Sequence, residues 1–118
     1  MSDFTLIEVL LDQAEAALDA GDPEKALELR NQVLGRSPQH PGANFVKGDS
    51  LRVIGDLIEA ANAYRNAALA QPRHAASWAS LALTSFEILD FEEARRAVSR
   101  AVREDPRNPE AWWVRSLL

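Results

Sequence analysis

Several features that would define whole classes of protein are missing from this sequence of 118 residues. It has no cysteine, which excludes disulfide bonds and thiolate chemistry. No apolar run approaches the roughly 18 residues that a membrane span requires. The N-terminal segment carries acidic residues where a secretory signal would carry basic ones, so export is not expected. These absences together predict a cytoplasmic protein that does not associate with membranes.

The residues that usually build catalytic and metal sites are also scarce. The two histidines, His40 and His74, lack the neighbouring ligands that a metal site needs. The five glycines are scattered and form no phosphate-binding loop. Carboxylates are numerous, but nothing in their spacing sets the pKa of one apart from that of another, as acid–base catalysis requires. We therefore predict no catalytic, metal or cofactor site, and a protein that is not an enzyme.

Basic residues are few in the first third of the chain, where the whole net charge of −5 arises. Residues 1–40 hold eight acidic and three basic residues, whereas residues 41–118 hold ten of each. A nucleic-acid-binding protein needs a basic excess that displaces counterions from phosphates. Nucleic acid is therefore not an expected partner.

What the sequence does contain is an internal repeat, which is seen in three separate columns of residues that share one period. These columns are Pro38, Pro72 and Pro106; Asp22, Asp56 and Asp90; and Ala26, Ala60 and Ala94. A period of about 34 residues is typical of stacked helix–turn–helix units. Such units bind partners far more often than they catalyse reactions.

The period divides the chain into units within one all-α domain, residues 1–118. The full units are 7–40, 41–74 and 75–108, and a partial fourth unit covers 109–118. Apolar residues spaced three and four apart predict helices over 3–20, 23–36, 41–54, 57–71, 75–88, 91–104 and 109–118. No segment alternates with period two, so no strand is expected.

The turn inside each unit is marked by an aspartate that suits a helix N-cap. Gly21 and Gly55 precede this aspartate in the first two units and suit a left-handed helix end. In the third unit Leu89 takes the place of glycine. Because a left-handed leucine costs roughly 1–2 kcal/mol, we expect a tighter turn there, or strain taken up by Asp90.

These columns resemble the tetratricopeptide repeat family, whose pattern is W-x2-L-G-x2-Y, then A-x3-F, then P. The matching residues are Trp78, Leu81, Ala82, Ser85, Ala94, Val98 and Pro106 in the third unit; Asn44, Lys47, Gly48, Leu51, Ala60, Tyr64 and Pro72 in the second; and Leu10, Gln13, Ala14, Ala17, Ala26, Arg30 and Pro38 in the first. Gln13, Arg30 and Lys47 are polar where the family is apolar. The resemblance implies a right-handed superhelix of antiparallel helix pairs, three full repeats plus one C-terminal helix.

The resemblance also implies that the first helix of each pair lines a concave groove that holds a protein or peptide partner. The residues at the family's groove positions include Glu8, Leu11, Asp12, Glu15, Asp19, Phe45, Asp49, Arg52, Leu83, Phe86 and Trp113. Family members that grip the acidic C-terminal tails of chaperones use Lys, Arg and Asn at positions occupied here by Leu11, Glu15, Val46, Ala76 and Ser80. Binding to such tails is therefore not expected.

Two charged stretches each leave two interpretations open. One helical face carries four acidic residues, Glu8, Asp12, Glu15 and Asp19. This face is either a solvated surface or a groove edge that attracts basic side chains of a partner. In the second interpretation, apolar side chains of the partner contact the aromatic floor of the groove. The basic stretch of the last full helix is either a solvated face or a weak contact for an anionic surface. It comprises Arg95, Arg96, Arg100 and Arg103.

The C-terminal segment carries adjacent tryptophans that the repeat pattern places differently. Trp112 repeats the column of Trp78 and should pack back on the third unit, whereas Trp113 should face the groove. The apolar end at Leu117 and Leu118 indicates either a longer protein or pairing with another copy. The main hypothesis is a protein-interaction module. The alternatives are the N-terminal repeat segment of a larger bacterial enzyme, for example a sulfotransferase or hydroxylase, and a unit that self-associates through its C-terminal helix.

Overall fold

The computed structural model describes residues 2–118, which form seven helices and contain no strand. The helices are α1 (Asp3–Asp19), α2 (Pro23–Arg36), α3 (Pro41–Ile54), α4 (Leu57–Ala70), α5 (Ala75–Glu87), α6 (Phe91–Glu104) and α7 (Pro109–Leu117). Their ends lie within one residue of those predicted from the sequence. Consecutive helices pack as pairs, α1 with α2, α3 with α4 and α5 with α6, and the pairs stack into a superhelix measuring 45 × 26 × 21 Å. We call these the first, second and third helix pairs.

The turns inside the three pairs use the same hydrogen bonds, and one prediction about them is wrong. The N–H groups of Asp22, Asp56 and Asp90 donate to carbonyls five residues back, at 2.8, 2.9 and 2.8 Å. This pattern requires a left-handed residue before each aspartate. Leu89 adopts that conformation itself, with φ of 66°, so the third turn is not tighter and Asp90 does not take the strain. Leu89 itself therefore bears the left-handed strain, while the hydrogen bonds that close α5 are kept.

The helix starts are closed by side-chain acceptors that also recur with the repeat. Oδ1 of Asp22, Asp56 and Asp90 accepts from the backbone N–H three residues later, at 3.1, 3.3 and 3.2 Å. His40 Nδ1 caps α3 in the same way at 3.1 Å, and Asn108 Oδ1 caps α7 at 2.9 Å. Each cap satisfies a backbone donor that the helix itself leaves unpaired.

The prolines between the pairs are tied to the next helix by a further recurring bond. The side chains of Asn44 and Trp78 donate to the carbonyls of Pro38 and Pro72, at 3.5 and 2.8 Å. Trp112 makes the equivalent bond to the Pro106 carbonyl. Thus the residues of one column, Asn44, Trp78 and Trp112, fix the turns that precede helices α3, α5 and α7.

The apolar core consists of two clusters. One joins α1, α2 and the start of α3, and the other extends from α3 to α7. The alanine column at the helix crossings, Ala26, Ala60 and Ala94, is fully buried. Small side chains there let the two helices of a pair approach closely. The first helices of the three pairs and then α7 follow one another along the superhelix. We call α1, α3, α5 and α7 the first-position helices, and α2, α4 and α6 the second-position helices.

Candidate functional site

The candidate site begins at a close approach between Gly48 on α3 and Tyr64 on α4. A Cβ atom added at Gly48 would lie 2.6 Å from Cε1 of the tyrosine ring, closer than carbon atoms pack. Glycine is therefore required for the buried ring to lie against α3. The tyrosine hydroxyl then donates a hydrogen bond to the carboxylate of Asp49. A side chain from the second helix of the pair thereby reaches a predicted groove residue on the first.

This buried contact shifts the pKa values of both partners. Burial raises the pKa of Asp49, and the hydrogen bond from Tyr64 only partly opposes that effect. Burial, with the charge and the hydrogen bond of Asp49, also raises the pKa of Tyr64 above its usual value. The tyrosine therefore stays protonated and acts as a donor to the carboxylate.

Arg52 joins the second pair to the third across this surface. Its Nε donates to Oε1 of Glu87 on α5 at 3.0 Å, and a terminal nitrogen lies 2.9 Å from the same oxygen. Asp49, Arg52 and Glu87 line an open depression together with Val53, Leu57 and Tyr64. Four of these residues, Asp49, Arg52, Val53 and Glu87, lie at groove positions that the family resemblance implies.

Glu110 extends the row of charges onto α7. The Ser80 hydroxyl on α5 donates to its Oε1 at 3.4 Å. Burial raises the pKa of Glu110, and the nearby charge of Arg52 does not outweigh this. Three carboxylates, Asp49, Glu87 and Glu110, thus surround one arginine along α3, α5 and α7. We call the surface formed by these residues with Asp12, Glu15 and Arg30 the candidate groove.

Arg30 brings the first helix pair into the candidate groove. It is only 3% exposed, its Nε has no hydrogen-bond partner among residues 2–118, and burial lowers its pKa. The charges of Glu15, Asp49 and Asp12 oppose that shift, in decreasing order. Two members of the predicted acidic stripe on α1, Glu15 and Asp12, therefore interact electrostatically with Arg30, as Asp49 on α3 also does.

The other two predicted members of the acidic stripe are not joined to this cluster. Glu8 and Asp19 are exposed on α1, and neither is among the charges that act on Arg30. The structure therefore brings together only the middle of the stripe, Asp12 and Glu15, with charges from other helices.

The predicted apolar groove residues are partly used in packing. The Phe45 ring lies 5.7 Å from that of Tyr64 and 5.2 Å from that of His74, measured between centroids. Phe86 meets Phe91 at 5.4 Å. Leu11 and Leu83 pack against the core from partly buried positions. Each of the four therefore offers only part of its side chain to a partner.

The two C-terminal tryptophans lie in different surroundings. Trp112 lies over the turn at Pro106, and the guanidinium of Arg115 stacks 5.0 Å from the centre of its ring. The equivalent Trp78 is covered by Arg100 at 5.3 Å, which comes from the other helix of its pair. Trp113 is 60% exposed and is the more open of the two tryptophans of α7.

Sequence reasoning missed the contribution of second-position helices to this surface. Arg30 and Tyr64 come from α2 and α4, and they reach carboxylates on α1 and α3. The available signal was the polar residue at position 30, where the family pattern has an apolar one. Arg30 lies one full repeat before Tyr64, so both occupy the same point of the unit.

Within residues 2–118, no group of three or more His, Asp or Glu side chains is arranged to hold a metal ion. No helix in the same range is long and apolar enough to cross a membrane.

The comparison with family models identifies the repeat. A model described as tetratricopeptide repeat matches residues 11–64 and 81–118, which is most of the chain. The protein belongs to the tetratricopeptide repeat family, as the recurring columns predicted. No curated protein sequence matches this chain.

Solved structures share the fold at low sequence identity. The second tetratricopeptide repeat domain of human RPAP3, in complex with the HSP70 peptide SGPTIEEVD, has a TM-score of 0.92 and 15% identity. The match covers 98% of this chain and 97% of that domain's chain. MamA has a TM-score of 0.88 and 20% identity. The match covers 94% of this chain but only 65% of the MamA chain. An O-GlcNAc transferase mutant from Thermobaculum terrenum has a TM-score of 0.86 and 22% identity, over 94% of this chain and 21% of the enzyme. These similarities extend to the fold alone.

Proposed function

We propose that this protein is an interaction module that holds a peptide segment of a partner protein in the candidate groove, and that the segment carries basic side chains. The family is built for protein interaction, and the RPAP3 domain with the same fold is in complex with a peptide. The partner's identity has to come from groove chemistry, because relatives with one fold differ in what they bind.

The observation that supports this proposal is the excess of negative charge in the candidate groove. Five carboxylates face two arginines there, Arg30 and Arg52. The carboxylates are Asp12, Glu15, Asp49, Glu87 and Glu110. Such a surface attracts Lys and Arg and repels an acidic tail. The chain therefore suits a partner of opposite charge to the chaperone tails, in agreement with the absence of cations at the positions that would grip them.

A charge-reversal experiment tests the groove. Asp12→Lys with Glu15→Lys changes the charge on α1, and Glu24→Lys with Glu28→Lys makes the same change on exposed positions of α2. A library of lysine- and arginine-containing peptides is screened, and the dissociation constants of its best binders are measured by fluorescence anisotropy for each variant. We expect the α1 pair to weaken binding far more than the α2 pair, with a difference that shrinks as salt screens the charges.

Equal losses in the two variants would show that net charge, rather than the candidate groove, governs binding. Circular dichroism checks that each variant keeps its helices, as we expect for substitutions at four exposed positions.

A second candidate function is self-association through α7. Trp112, Trp113, Leu117 and Leu118 are exposed in one short helix and the residue that follows it, and clustered apolar surface usually marks a contact. Sedimentation velocity over a range of concentrations tests this. A mass that stays monomeric at all concentrations, in the wild type and in a Trp113→Gln, Leu117→Glu variant alike, would exclude it.

We further predict that the protein is not an enzyme and that it lies in the cytoplasm. The alternative prediction is that it forms the repeat segment of a larger bacterial enzyme.

A further inference from the structure

The guanidinium of Arg30 is the one charged group of the candidate groove that is buried without a bonding partner. Its Nε is buried and unpaired, the residue as a whole is 3% exposed, and its side chain donates no hydrogen bond within residues 2–118. Unpaired buried donors are uncommon because each costs the free energy of its lost hydration. A donor in this state favours any ligand that brings it an acceptor.

The equivalent position in the next helix pair shows what a satisfied arrangement looks like. Tyr64 repeats the position of Arg30 one unit later, and Asp49 likewise repeats the position of Glu15. The tyrosine hydroxyl bonds directly to that aspartate. Arg30 interacts with the charge of Glu15 but forms no ion pair with it. The two side chains of the first pair are therefore near enough to influence each other and far enough apart to leave the guanidinium unbonded.

The surrounding charges restrict the kind of acceptor that can reach Arg30. Asp12, Glu15 and Asp49 all act on the guanidinium. Three carboxylates around one arginine repel an incoming anion, so a carboxylate or phosphate is a poor fit. A neutral carbonyl oxygen accepts from the guanidinium without bringing negative charge. The carboxylates, in turn, require donors or a cation.

One residue of an extended peptide supplies both requirements. We propose that a lysine or arginine side chain of the bound segment lies against Asp12, Glu15 and Asp49, while a main-chain carbonyl beside it accepts a hydrogen bond from Arg30. This inference rests on the proposed function, because it describes how the same groove recognises the cationic segment. Arg30 then acts as a positioning residue that sets the register of the peptide main chain.

The test uses a defined probe, the peptide acetyl-Ala-Lys-Ala-Ala-Lys-Ala-amide, and a counterpart with norleucine in place of lysine. Binding to the nitrogen-15-labelled full chain is followed by amide chemical shifts, which report weak affinities. Arg30→Met removes the donor at similar volume. Arg36→Met is the matched control, because it removes the same charge from an exposed position of α2.

The two explanations for Arg30 predict opposite changes. If Arg30 bonds to the peptide carbonyl, Arg30→Met weakens binding of the lysine peptide by roughly tenfold, since hydrogen bonds from charged groups are strong. If Arg30 only neutralises the carboxylates, its removal makes the groove more negative and tightens binding. Unchanged or tighter binding by Arg30→Met, relative to Arg36→Met, would overturn the inference and leave the proposed function intact.

The peptide pair separates failure of the proposed function from failure of the inference. Equal binding of the lysine and norleucine peptides to the wild type, or binding of neither, would contradict cation recognition, and the role of Arg30 would fall with it. Lysine-dependent binding that survives in Arg30→Met would contradict the role of Arg30 alone. Thermal unfolding of both variants confirms that loss of binding is not loss of fold.

Discussion

The first and third helix pairs place opposite chemistry at the same points of one scaffold. Arg30 and Glu15 occupy positions that Val98 and Leu83 occupy two repeats later. Val98 belongs to the larger apolar cluster and Leu83 packs against it, whereas Arg30 is a buried charged residue. The repeat geometry therefore does not depend on an apolar residue at this position. What changes with the residue is the surface that the pair presents in the candidate groove.

The two ends also differ in how their surface charges are balanced. On α6, Arg96 bonds to Glu93 at 3.1 Å and Arg100 bonds to Glu104 at 3.1 Å while stacking on Trp78. On α1, only Asp3 forms an ion pair among residues 2–118. Two of the four arginines in the basic stretch predicted on α6 are thus paired with neighbouring carboxylates, which favours its interpretation as a solvated face. The other acids of α1 form no ion pair within residues 2–118.

The largest expected effect comes from exchanging the two chemistries. Val98→Arg places an uncompensated charge in the apolar cluster and should lower the free energy of unfolding by about 3–5 kcal/mol. Arg30→Met should leave it unchanged or raise it, because a buried unpaired charge is replaced by an apolar side chain of similar volume. Urea unfolding of both variants measures the contrast. A loss below about 1 kcal/mol in Val98→Arg would show that the two environments are equivalent.

The second effect tests the contact that distinguishes the middle pair. Gly48→Ala should lower the free energy of unfolding by about 1–3 kcal/mol through overpacking against Tyr64, although alanine is the better helix former. Gly35→Ala on α2 is the matched control, because nothing lies within 4 Å of an added Cβ there. That control should raise stability by up to about 1 kcal/mol. If both substitutions stabilise the protein, the tyrosine ring can move away from α3.

A smaller effect concerns the strained turn of the third pair. Leu89→Gly should raise the free energy of unfolding by about 0.5–1 kcal/mol, since the relief of left-handed strain exceeds the flexibility that glycine adds. Gly55→Leu places leucine at the same point of the second pair and should lower it by about 1–2 kcal/mol. Thermal unfolding compares the two. Loss of stability in Leu89→Gly would mean that this leucine, 72% exposed, makes contacts that matter to the fold.

The smallest effect is a dependence on pH at α7. Burial raises the pKa of Glu110 in the folded state above its unfolded value, so the folded state binds this proton more tightly than the unfolded state does. This contribution to stability is therefore present at acid pH and is lost as pH rises through the raised pKa. Glu110→Gln should raise the midpoint of thermal unfolding at neutral pH, and the gain should shrink below the usual pKa of glutamate.

Glu28→Gln, at an exposed position of α2, is the control for that titration. A gain in Glu110→Gln that grows at acid pH, or one matched by the control, would contradict the assigned cause.

Much of the fold could be predicted because its boundaries are encoded by neighbouring residues. Glycine–aspartate turns and recurring prolines place the helix ends to within one residue, since they act through local backbone geometry. Leu89 is the exception. Its left-handed conformation follows from the hydrogen bonds that close α5, and the identity of the residue alone argued against it.

The candidate site was only half predictable, for a different reason. The carboxylates of α1 could be assigned to one face from their spacing, because that spacing is a property of a single helix. The meeting of Arg30 with Asp12, Glu15 and Asp49 depends on three helices, and that of Tyr64 with Asp49 depends on the absence of a side chain at Gly48. No local pattern in the sequence contains such contacts.

By itself, the sequence determined the repeat, the helices, the family and the concentration of negative charge in the first third of the chain, because each of these depends on composition or on residues near one another. Only the tertiary structure decided which of those charges lie in the candidate groove, which are already paired, and which arginine is buried without a partner. Stacking of helix pairs brings residues of different helices into contact, and burial then changes their pKa values and hydrogen bonding. The chemistry that a partner would meet arises from that stacking.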